Sequence, residues 1–286
     1  MKNNRVYFIT KIIILIISLI PASTLYGQKS YDFEKEIEHP ENYNFREINF
    51  VDLEDNITLS GTLIFPKIEY SKIVIIVPGS GKDTRNSHYV LAEELLKNSI
   101  AVYRFDDRGV GKSGGTVNFS VDQIIQDLYY ALDNIKKTDT LAKKQIGVLG
   151  HSLGGIATID VYQKSLNMDF IVLMSTPVEK YGRFNHLQFL SKSNPKIKTS
   201  AKTVFENLNI PLLFISGTND SFFDSEKTIS LLTEINNKNI STEILQGQNH
   251  FLRKGTDNWK KTKEYNNLYQ IDNQTLDRIV SWIKKI

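Results

Sequence analysis

The stretch that most constrains this chain is Gly150-His151-Ser152-Leu153-Gly154-Gly155. An apolar run, Gln145 to Leu149, precedes it, and a segment that reads as helix, Ile156 to Lys164, follows it. A serine placed where a buried strand turns sharply into a helix takes strained backbone angles, and its neighbours collide unless they lack side chains. Gly150 and Gly154 supply that room. The turn lifts the serine Oγ above a sheet edge, at the positive end of the following helix. A G-x-S-x-G alone is permissive; what gives it meaning is an acid and a histidine placed to serve the serine.

The surrounding pattern predicts an α/β fold. Phe45 to Leu53 and Ile57 to Phe65 alternate apolar and polar residues around Glu54-Asp55-Asn56, which predicts a β-hairpin at a sheet edge. Lys72 to Val77, Ile100 to Phe105, Gln145 to Leu149, Phe170 to Met174, Pro211 to Ser216 and Ser241 to Leu245 are short, mostly β-branched or apolar runs. Such runs are buried on both faces, as in a parallel sheet. Helical segments separate most of them: His88 to Lys97, Val121 to Lys136, the one after Ser152, Glu226 to Asn236, and Leu276 to Lys285 at the end. Alternation of this kind gives a doubly wound, mostly parallel sheet. Residues 178–208 are too long for a plain connection and carry Tyr181, Phe184, Leu187, Phe189 and Leu190, so they read as a small cap insertion.

Bulk properties narrow the function. The 286 residues carry 35 Lys+Arg against 32 Asp+Glu, a net charge of +3 too small to argue for nucleic acid or an anionic membrane as partner. There is no cysteine, hence no disulfide, thiolate nucleophile or cysteine metal site. At the N-terminus, Lys2, Arg5 and Lys11 precede an apolar run from Ile12 to Ile20, then Pro21 and small or polar residues. That describes a secretory signal peptide, here residues 1–27, with an uncleaved anchor as the alternative. The expected organisation is a signal peptide over 1–27, a polar lead-in over 28–44 and one domain over 45–286. The protein is expected to be exported, periplasmic or secreted, without stable membrane insertion after cleavage.

Ser152, Asp220 and His250 follow one another in chain order, each just past an apolar strand. In open α/β sheets those strand ends converge on one edge. A serine hydroxyl needs a base within hydrogen-bond reach, and the base needs an acceptor that fixes its tautomer and stabilises the imidazolium. His250 is the expected base. His39, His88, His151 and His186 all lie before the acid; only His250 follows it. Asp220 is the expected orienter, with Asp224 as a nearby rival. The oxyanion hole would use the N–H of Leu153, the residue after the nucleophile, and an N–H from Pro78-Gly79-Ser80-Gly81. Ser80 is the expected second donor and Gly81 the runner-up.

Other motifs read as structural. Asp107 and Arg108 are expected to tie their loop down near the elbow through charge-assisted bonds. Gly111-Lys112-Ser113 resembles the end of a phosphate-binding loop, but Asp106 stands where that loop needs its first glycine. No H-E-x-x-H or paired-histidine spacing suggests a metal.

The elbow, the loop Phe105-Asp106-Asp107-Arg108-Gly109-Val110-Gly111-Lys112-Ser113, Gly217-x-x-Asp220 and Asn249-His250 together resemble the α/β-hydrolase superfamily. Leu59-Ser60-Gly61-Thr62-Leu63 and Pro78-Gly79-Ser80-Gly81 resemble its exported esterase and serine-aminopeptidase-like branch. The resemblance covers Phe45 to the C-terminus. It implies a Ser-His-Asp acyl hydrolase that needs no cofactor and takes a small acyl ester, or alternatively a short peptide. It departs from the family in lacking a His-Gly opening to the oxyanion loop and in having a short insertion. A reading of a different class is a catalytically silent copy of the fold used for binding.

Overall fold

The computed structural model describes residues 34–117, 120–164, 168–178, 201–258 and 267–286. The expected signal peptide, the start of the lead-in and residues 179–200 of the expected insertion lie outside the described residues. Ten strands are described: β1 (Tyr43–Glu47), β2 (Phe50–Asp52), β3 (Ile57–Leu59), β4 (Gly61–Pro66), β5 (Lys72–Val77), β6 (Ala101–Phe105), β7 (Gln145–His151), β8 (Phe170–Met174), β9 (Leu212–Gly217) and β10 (Ile240–Leu245). The helices are α1 (Tyr89–Lys97), α2 (Val121–Lys137), α3 (Leu153–Gln163), α4 (Ala201–Glu206), α5 (Ser225–Ile235) and α6 (Asn273–Lys285). Among the described residues, no helix is long and apolar enough to cross a membrane.

Eight strands form one sheet in the order β1-β4-β6-β5-β7-β8-β9-β10. Strand β4 pairs antiparallel with β1 and β6, and every pairing from β6 to β10 is parallel. The sheet is mostly parallel and wound on both faces, as the strand–helix alternation predicts. Strand β5 shows why. Its Ile73, Ile75 and Val77 pack into one core with α2 and α3, while Val74 and Ile76 pack into the other with α1 and α6. Successive side chains of a strand point to opposite faces, so a strand covered on both sides must be apolar throughout. The helices carry their own stop and start signals. Ser120 Oγ caps α2 by accepting from Gln123 N at 3.2 Å, and Lys136 and Lys137 lie in its last turn.

The predicted hairpin is present, and its two arms take part in two sheets. Its base, β1 with β4, joins the main sheet at the edge, and its tip, β2 with β3, forms a separate pair. The break lies where Ile48 N donates to Gly61 O at 2.9 Å and Asn49 Oδ1 accepts from Gly61 N at 3.3 Å. The tip then folds inward, burying Phe50 edge-on against Phe105 with ring centroids 5.4 Å apart. Within the expected insertion, helix α4 and the residues after it send Val204, Phe205 and Leu208 into the core. Finally, α3 starts at Leu153 and not at Ile156, because the chain turns immediately after Ser152.

Candidate active site

Ser152 sits between β7 and α3 with φ 54° and ψ −119°, a conformation rarely adopted by a residue with a side chain. The elbow glycines make it feasible. A Cβ at Gly150 would lie 2.5 Å from Gly154 O, and one at Gly154 would lie 2.3 Å from the carbonyl oxygens of Val77 and Pro78. The loop after β5 therefore packs directly on the turn. Its Gly79 comes closest to the serine, since a Cβ there would stand 2.9 Å from Ser152 Cβ. Ser80 follows it, exposed and with no hydrogen bond among the described residues. Leu153 is the first residue of α3, so its N–H has no partner within the helix.

The structure brings His250 and Asp220 together. His250 Nδ1 and Asp220 Oδ2 are 2.8 Å apart, and both side chains are buried. Asp220 Oδ1 accepts from Phe222 N at 2.8 Å, so both of its oxygens are used. The rival, Asp224, faces elsewhere. It caps α5 by accepting from Lys227 N at 3.0 Å. Phe222 stacks on the His250 ring at 4.3 Å and Phe251 meets it edge-on at 5.7 Å. Among the described residues no hydrogen bond joins Ser152 Oγ to His250.

Several supporting residues lack a sequence signature. Asp257 accepts from His250 N at 3.0 Å and from Ser221 N at 2.8 Å, so one carboxylate joins the acid loop to the histidine loop. His151, inside the elbow, places Nε2 3.0 Å from the His250 carbonyl oxygen and Nδ1 3.2 Å from His88 Nε2. A carbonyl only accepts, so Nε2 of His151 carries the proton. Its Nδ1 then accepts from His88 Nε2–H, and His88 Nδ1 accepts from Ser87 Oγ at 3.3 Å. Both histidines are held neutral. Burial, then the nearby His250 and His88, push His151 well below the usual range. Burial, then the Arg104 charge, push His88 down to about 3.

Charge-assisted bonds from Asp107 and Arg108 tie down the loop after β6, as expected. Arg108 pairs with Asp52 and Asp55 in the β2–β3 tip and, through Nε at 3.0 Å, with Asp127 of α2. Asp107 pairs with the loop that carries Gly79. Its Oδ2 accepts from Asp83 N at 2.9 Å, and its own N–H donates to Asp83 O at 3.0 Å. Tyr269 hydrogen-bonds Asp83 Oδ1 and lies 4.3 Å from the His88 ring.

Comparison with known proteins agrees with this architecture. The family model of the serine aminopeptidase S33 hydrolases matches residues 69–203. The Salmonella typhimurium protein YfhR is 25% identical over 254 residues, covering 79% of this chain and 82% of its own. Protein phosphatase methylesterase 1 of Candida albicans is 35% identical over 65 residues, which is 23% of this chain; the match spans only 18% of the methylesterase. Among solved structures, the Pyrococcus furiosus esterase Pf2001 superposes with a TM-score of 0.62 at 21% identity, covering 91% of this chain and 99% of that one. A Xanthomonas campestris protein, XC6422, described as an α/β serine hydrolase without a lid, gives 0.55 at 17% identity, covering 82% and 94%. Sheet order, elbow and superposition agree: the chain has the α/β-hydrolase fold, and its residues 69–203 are similar to the serine aminopeptidase S33 family.

Proposed function

We propose that this protein hydrolyses carboxylic esters through an acyl-enzyme on Ser152. As Ser152 Oγ attacks the acyl carbonyl, His250 Nε2 takes its proton. Asp220 accepts from His250 Nδ1–H, which fixes the tautomer that leaves Nε2 free, and balances the imidazolium. The N–H groups of Leu153 and Ser80 receive the negative charge on the carbonyl oxygen, with Gly81 as the alternative to Ser80. His250 then returns the proton to the leaving alcohol, and a water activated by the same histidine releases the acid. The observation that carries this reading is the 2.8 Å contact between His250 Nδ1 and Asp220 Oδ2, at strand ends beside a serine with positive φ.

The ester preference draws on the methylesterase and esterase among the relatives. A second reading, cleavage of short peptides, is favoured by the serine aminopeptidase family model. Hydrolysis rates over p-nitrophenyl esters and aminoacyl amides separate the two; a preference for amides with a free amine overturns the ester reading. A fluorophosphonate probe tests the nucleophile itself. Labelling is expected on the purified protein and not on Ser152→Ala, whose turnover should fall by about 10⁴-fold. A protein that takes no label would instead be a binding copy of the fold. The N-terminal Lys/Arg and apolar run support export, which N-terminal sequencing of the secreted or periplasmic fraction tests.

A further inference from the structure

A cleft of about 630 Å³ opens on the α1 face of the β1–β4–β6 edge. It shares no lining residue with the elbow, the acid or the histidine. Two cross-strand rows form its floor. Glu47, Thr62 and Arg104 align across β1, β4 and β6, and Phe45 aligns with Ile64 two residues along. A polar row and an apolar row therefore lie side by side on one face, about 7 Å apart. Ile37 and Pro40 of the lead-in extend the apolar side.

Arg104 is the unusual member. It is 4% exposed, yet among the described residues no carboxylate ion-pairs with it. Among the described residues its side chain makes one hydrogen bond, from Nη1 to the Ser87 carbonyl at 3.3 Å, and Nε has no partner. Three carboxylates lie near enough to be felt, but each serves other donors. Glu34 accepts from Thr84 N and Oγ1, Glu93 from the Tyr43 hydroxyl and Glu38 N, and Asp106 from Arg85 and Lys112 N. Burial, then the Arg85 charge, lower the Arg104 pKa to about 10, so the guanidinium stays charged at neutral pH. A buried charge left without a partner is costly, and a bound anion at the cleft would relieve it.

We propose that this cleft binds an amphiphilic carboxylate, its head on the Arg104 guanidinium and its chain along Phe45, Ile64, Ile37 and Pro40. A planar carboxylate matches the guanidinium fork. A single negative charge suits the site better than a dianionic phosphate, because Glu36, Glu47 and Asp106 also line the cleft. The half-exposed Phe45 ring gives the chain an apolar surface to cover. The inference stands whether or not Ser152 is a nucleophile.

Calorimetric titration of the full chain with sodium octanoate tests it. Octanoate is expected to bind with a Kd below about 1 mM. Arg104→Met should weaken it by about tenfold or more, and Phe45→Ser by several-fold. Octanol and inorganic phosphate, each supplying half of the recognised chemistry, should bind at least about tenfold more weakly than octanoate. No octanoate binding, or unchanged affinity in Arg104→Met, overturns the proposal. So does phosphate or octanol binding as tightly as octanoate. Should Arg104→Met fail to fold by its melting curve, Phe45→Ser decides alone, and unchanged affinity there is equally fatal.

Discussion

His151 donates its Nε2–H to the main-chain carbonyl of His250 across 3.0 Å, so the residue before the serine holds the backbone of the proposed base. Replacing it separates ring volume from hydrogen bonding. His151→Gln keeps a donor and should retain near-normal kcat. His151→Phe keeps the bulk but leaves the carbonyl unpaired, and displacement of the base should lower kcat by about ten- to hundredfold with KM little changed. Steady-state kinetics on one ester checks both. Equal kcat in the two variants would show that the bond does not position His250.

Asp257 bridges two loops that the sheet alone would leave independent, through His250 N at 3.0 Å and Ser221 N at 2.8 Å. Asp257→Ala frees both N–H groups. It is expected to cost about 1–3 kcal/mol of stability and to lower kcat. Asp257→Asn keeps one acceptor and should fall between. Urea denaturation and turnover measured on the same preparations check the order; an alanine variant as active as the parent removes Asp257 from the positioning of His250.

Arg108 anchors the loop after β6 to α2 and to the β2–β3 tip, with its side chain 7% exposed. Arg108→Met leaves Asp52 and Asp127 buried without their cation, which typically costs about 3–5 kcal/mol. Burial already lifts Asp127 to about 6 despite the bond from Arg108. A raised carboxyl pKa favours the folded state at low pH, and that contribution is lost as pH rises from the ordinary value towards 6. Without Arg108 the Asp127 carboxyl is harder still to ionise, so the deficit should be smaller at pH 5 than at pH 8. Denaturant titrations at the two pH values check this, and an equal deficit at both contradicts it.

The chain discloses these parts unevenly, for physical reasons. Strand β5 is apolar at every buried position because both of its faces are covered, and Gly150 and Gly154 are required by contacts of 2.5 Å or less. Constraints of that kind show in one residue type at one place. The division of the first hairpin does not show, because it depends on Gly61 bonding Ile48 and Asn49, and alternation continues on both sides of the break. The roles of His151, His88 and Asp257 are hidden for another reason. His151 and Asp257 act on main-chain atoms, which leave no trace in residue type, and His88 acts only through His151, 63 residues away in the chain. Arg108 reads as a loop anchor, but its partners Asp52 and Asp127 lie 56 and 19 residues away in the chain.

Asp83 gives the fold a pH dependence of definite sign. Burial, partly offset by the Tyr269 hydroxyl and reinforced by Glu34, raises its pKa to about 7 from an ordinary 3.8. Below pH 3.8 the carboxyl is neutral in both folded and unfolded chains and costs nothing. Between there and about 7 the unfolded chain releases the proton while the folded chain keeps it, so stability falls as pH rises; above 7 the loss is complete. Asp107, raised well above its usual range by burial and then by Asp83, adds a loss of the same sign. Asp83→Asn keeps an acceptor for Tyr269 and removes the titration. Its stability should therefore decline less than the parent's between pH 4 and 8, and it should be the more stable protein at the upper end. Melting temperatures across that range provide the measurement. Parallel curves for the two proteins would mean that Asp83 ionises as freely in the folded state as in the unfolded one.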